Sequence, residues 1–60
     1  MTPTELIAAR KQLGLSQAGL AAALGLTSDR TIRRWEAGDM PITGPAELAI
    51  RYMLKYGPLA

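Results

Sequence analysis

Apolar residues recur along the chain at helical spacing, in four segments divided by breaks that carry glycine or proline. That spacing predicts helices over about 3–13, 16–24, 28–37 and 44–56, an all-α chain. The punctuation is chemical. Thr2 can cap the first helix, Pro3 suits its first position, and Glu5, three residues after Thr2, completes a capping box. Gly14 is its stop. Ser16 caps the second helix and Gly25 ends it. Thr43 caps the fourth, with Pro45 tolerated in its first turn and Gly57-Pro58 closing it, so that Leu59 and Ala60 are expected to fray.

The second and third segments, Ser16 to Gly38, read as two short helices joined by a tight turn, the layout of a helix-turn-helix. In the turn, Gly25 can take positive φ and Leu26 can drop into the core between the helices. On a wheel, Ile32 and Trp35 share the inward side of the third helix. Arg30, Arg33, Arg34 and Ala37 lie together on the opposite side. A planar guanidinium fork can take both guanine acceptors in a major groove or clamp a phosphate. Surface arginines are also common as merely solvated groups, so the stripe acquires weight only from the frame around it.

Three further features stand out. Arg10 falls on the apolar side of helix 1 with Leu6 and Leu13, where a lone charge would be costly, and Glu36 is the partner expected for it. Gln17, in the first turn of helix 2, is either an ordinary polar residue or one whose amide, with the free N–H groups there, holds a phosphate. Gly19 costs its helix about 1 kcal/mol relative to alanine and has no evident purpose in the sequence. On helix 4, Ala46, Ala49, Ile50 and Met53 share one side, while Leu48, Tyr52 and Tyr56 lie on an adjacent one. So wide an apolar arc either wraps more of the core or meets a second copy or another protein.

Composition narrows the chemistry. With 60 residues the chain reads as one domain, 1–60, near the size at which a single core is marginal. It holds no cysteine and no histidine, which removes the disulfide, the usual metal ligands and the usual general base. Five acidic residues without a motif leave no catalytic constellation, so no enzyme, cofactor or metal is expected. A net charge of +2 does not by itself identify a polyanion partner, but three of the seven basic residues fall within Arg30 to Arg34. The longest apolar run, Leu20 to Leu26, is too short to cross a bilayer and no signal peptide is evident, so a cytoplasmic protein without a membrane partner is expected.

The segments LGLSQAGLAAALGL, TIRRWEAG and PITGPAELA resemble the lambda-repressor-like helix-turn-helix family, the phage-repressor or XRE type, over about Leu6 to Met53. The resemblance implies a small domain of four or five helices whose third is the recognition helix. By position it places Asp29, Arg30, Thr31 and Arg34 at base edges, and Gln17, Ser28, Arg33 and the backbone after Ala37 at phosphates. It also implies an Arg10–Glu36 ion pair between helix 1 and the end of helix 3. Asp29 has a second use, as a negative charge at a helix N-terminus. Two departures matter: the turn carries one residue more than usual before Ser28, and Gly19 stands where relatives often place a glutamate, so helix 2 should fray more readily.

The function implied is sequence-specific binding of double-stranded DNA by a small repressor that occupies a palindromic operator, as a homodimer at least on DNA. An antitoxin or phage-gene autoregulator that also binds a protein through helix 4 is a variant of this reading. A helical interaction module using Leu48, Tyr52 and Tyr56 is the competing class, and it would have no need of the arginine stripe.

Overall fold

The computed structural model describes residues 1–57, which form four helices and no strand. Pro58 and the fraying expected of Leu59 and Ala60 lie outside the described residues. Helix α1 spans Pro3–Gln12, α2 Gln17–Ala23, α3 Arg30–Ala37 and α4 Gly44–Tyr56.

Local chemistry accounts for most of these limits. Thr2 Oγ1 accepts from Glu5 N at 3.1 Å and Glu5 Oε1 from Thr2 N at 2.8 Å, closing the capping box of α1. Ser16 Oγ accepts from Gly19 N at 2.9 Å and so caps α2 without a reciprocal acid. A Cβ on Gly19 would stand 3.2 Å from that hydroxyl, so glycine leaves the cap unhindered. Gly25 ends α2 at φ +75°, with Gly25 N donating to Ala22 O and Leu26 N to Ala21 O at 2.8 Å, the paired bonds of a Schellman stop. The same arrangement at Gly38, φ +79°, stops α3.

The start of α3 differs from expectation. Ser28 was expected to open the helix, but its Oγ accepts from Arg30 N at 3.4 Å, a local turn bond two residues on, and Asp29 takes φ −80°, ψ 1°. Those two residues therefore belong to the connection, which runs from Leu24 to Asp29 and is longer than the turn with one extra residue read from the sequence.

Each helix contributes two buried residues to one core: Leu6 and Ala9, Leu20 and Ala21, Ile32 and Trp35, Ile50 and Met53. Helix α3 packs on both α1 and α2, and α4 packs on α1. The α1 leader is tied to α4 as well, because the Met1 ammonium pairs with Glu47, which also accepts from Arg51 Nε at 2.9 Å. Burying Ile32 and Trp35 in this way leaves the opposite side of α3 in solvent.

Candidate nucleic-acid interface

On that outer side Arg30, Arg33, Arg34 and Ala37 are all exposed. The arginines are not equivalent. Arg33 Nη2 lies 3.1 Å from Asp29 Oδ2, an i,i+4 pair that takes the Asp29 carboxylate away from capping α3. Among the described residues no carboxylate comes within ion-pair distance of Arg30 or Arg34. These two, four positions and about one turn apart, present unspent guanidinium forks on one side of the helix. Thr31 is half-buried at the margin of this face, and Ser28 is exposed just ahead of it.

Behind the face lies a second cluster of charge. Arg10 Nε donates to Glu36 Oε2 at 2.7 Å and Nη2 to Oε1 at 3.2 Å, while Nη1 donates to the Leu15 carbonyl at 3.1 Å. Only 15% of the Arg10 side chain and 8% of the Glu36 side chain remain exposed, so the bonds must replace water that both ions have lost. Burial alone would raise the Glu36 carboxyl. Hydrogen bonds from Arg10 and Gln17, with the charges of Arg10 and Lys11, outweigh it and hold the group below its ordinary value. Gln17 belongs to this cluster through its Nε2, which donates to Glu36 Oε1 at 3.1 Å. Sequence reading did not foresee that bond or the Leu15 carbonyl contact; neither has a local signal.

The family model for helix-turn-helix proteins matches residues 6–46, more than half of the chain and all of α1 to α3 beyond the first turn. The chain belongs to that family, in its XRE, lambda-repressor-like form. No curated protein and no solved structure matches it. Helix-turn-helix proteins of this type are DNA-binding transcription regulators, and that coarse activity holds here. Among the described residues no three acidic side chains gather as a metal site would need, and no helix is long and apolar enough to cross a membrane.

The fourth helix carries the other exposed feature. Leu48, Tyr52 and Tyr56 are 70%, 52% and 64% exposed, at i, i+4 and i+8. The two tyrosine rings pack with centroids 4.7 Å apart, and the Lys55 ammonium lies 5.2 Å from the Tyr56 centroid. Ile50 and Met53 are buried, whereas Ala46 and Ala49 on the same side are only half-buried.

Proposed function

We propose that the protein is a sequence-specific repressor working on double-stranded DNA in the cytoplasm, by occupying an operator that polymerase must otherwise use. The observation that carries this reading is the pair of exposed arginines, Arg30 and Arg34, unpartnered on the second helix of a helix-turn-helix. Set into a major groove, each fork reads a guanine edge, with Asp29 and Thr31 beside them. Arg33, Ser28, Gln17 and the backbone after Ala37 meet the flanking phosphates. Residues 1–60 act as one DNA-binding unit.

Two copies bind a two-fold operator, one α3 per half-site, and Leu48, Tyr52 and Tyr56 form the contact between them. Three side chains fall well short of the roughly 800 Å² per partner of a standard interface. Pairing is therefore weak in free solution and is completed by DNA, which holds both copies at high effective concentration. The same stripe supports a second reading, in which a protein partner covers α4 in an antitoxin-like or phage-gene regulator.

Selection from a randomised duplex pool, followed by affinity measurement at two salt concentrations, tests the proposal. A short palindromic motif with steeply salt-dependent binding is the expected result, and the motif should lower transcription when placed across a promoter. Enrichment of no sequence would sink the reading. Retained monomeric binding to a single half-site, with no gain on a two-half-site duplex, would move α4 from self-pairing to a different partner.

A further inference from the structure

The Gln17 amide is already engaged in the free protein. Its Nε2 carries two hydrogens, and one of them is given to Glu36 Oε1 at 3.1 Å. The acceptor is held in turn, since Arg10 donates to both Glu36 oxygens at 2.7 and 3.2 Å and to the Leu15 carbonyl at 3.1 Å. One carboxylate from the last turn of α3 thus joins α1 to the first residue of α2, and through Arg10 the α1–α2 connection as well. An unheld glutamine loses rotamer freedom when a ligand fixes it. Here the charged acceptor has fixed it beforehand. A bare carboxylate beside a phosphate would repel it, but the Arg10 guanidinium balances Glu36 and makes the arrangement compatible with a polyanion.

We propose that Glu36 is a positioning residue for DNA: by taking one hydrogen of the Gln17 amide it aims the second at a backbone phosphate, and it ties that contact to Arg30 and Arg34. The inference rests on the DNA reading above. Its structural logic is that Glu36 sits on the same helix as the two free arginines, so the phosphate contact and the base-reading groups move as one body. Register on the duplex is then set before DNA arrives, which lowers the ordering cost of binding.

A double-mutant cycle tests it. Wild type, Gln17→Met, Glu36→Gln and the double variant are titrated against the selected duplex and an unrelated one, with a thermal melt for each. Loss of one hydrogen bond weakens binding by about threefold to tenfold, alike on both duplexes because phosphate contacts carry no sequence information. The double variant should bind no more weakly than either single one. Losses that multiply overturn the proposal and reduce Glu36 to a fold-stabilising residue. Wild type that binds neither duplex refutes the DNA reading itself, and the inference with it.

A measurement on wild type needs no variant to fold. The Gln17 side-chain amide is followed by 15N NMR through an acid titration, in which Glu36 faces Arg10 and Lys11 from α1 and Gln17 from α2. One of the two Gln17 amide protons is expected to lie away from its position in an exposed glutamine and to shift as Glu36 protonates. A Gln17 amide indistinguishable from an exposed glutamine at every pH overturns the proposal.

Discussion

Arginine and carboxylate meet on two sides of α3, and the same chemistry has opposite consequences there. At the seam with α1 and α2, Arg10 and Glu36 are nearly out of water, make bidentate contact and recruit Gln17. On the outer face Arg33 and Asp29 meet in solvent, with 66% and 28% of their side chains exposed, while Arg30 and Arg34 meet no acid among the described residues. An exposed pair is worth little, whereas a half-buried one is costly to break because the remaining ion has lost its hydration. The seam is therefore part of the fold, and the outer face is available to a ligand. Stability measurements should respond to the first, and base discrimination to the second.

The largest effect expected is from Glu36→Ala, which strands Arg10 and frees Gln17. A loss of about 3 kcal/mol in urea unfolding follows from breaking such a pair, a third or more of the roughly 3 to 9 kcal/mol that a domain of this size holds. A loss below about 0.5 kcal/mol, the range of ordinary surface changes, would show that the seam is no different from the outer face.

Next come Arg30→Ala and Arg34→Ala. Each should cost about 1 to 3 kcal/mol of discrimination on the selected duplex, relax the preference at one base position, and leave the melting curve in place. Unchanged affinity and base preference in both would displace them as reading residues, and a lowered melting temperature would erase the contrast with the seam.

Acid sharpens the same contrast. Glu36 is held below its ordinary value in spite of burial, by Arg10 and Gln17. Glu5 is lowered by its bond from the Thr2 backbone, and Glu47 by the Met1 ammonium and Arg51. A depressed folded value means that the stabilisation is present above the unfolded value and lost as pH falls through the folded one. Stability should decline from about pH 5 downward, and Glu36→Gln should flatten that decline. A curve of unchanged shape in the variant would mean that the seam carboxylate does not contribute to it.

The smallest effect belongs to Asp29→Asn. Stability should change by less than about 0.5 kcal/mol, while the released Arg33 strengthens binding to unrelated duplex and steepens its salt dependence by up to about one counterion. A shallower salt dependence would show that Asp29 does not restrain Arg33.

Much of this was legible in short stretches of sequence. The Thr2-Pro3-Glu5 start of α1, the Gly25 stop of α2 and the three-residue spacing of Ile32 and Trp35 depend on neighbours within one or two turns. Arg10 on an apolar helix side posed a question that only a distant carboxylate could answer, and Glu36 lies 26 positions away. The start of α3 was harder to read, because Ser28 and Asp29 both suit a cap and the choice turned on a hydroxyl bond to Arg30 and a carboxylate drawn to Arg33. Gly19 gained a purpose only when the Ser16 hydroxyl was seen above it.

By itself the sequence determined where backbone ends find partners, which side of each helix is apolar, and that three guanidinium groups leave α3 together. These follow from helical periodicity and from side chains that bond their own backbone, so they need no knowledge of the fold. Tertiary structure alone decided which arginines stay free, that Gln17 is held by Glu36 rather than left to water, and that Leu48, Tyr52 and Tyr56 face outward. Each of those depends on what lies across an inter-helix gap, where residues many positions apart are brought to hydrogen-bond distance or kept from it only by the packing of the core.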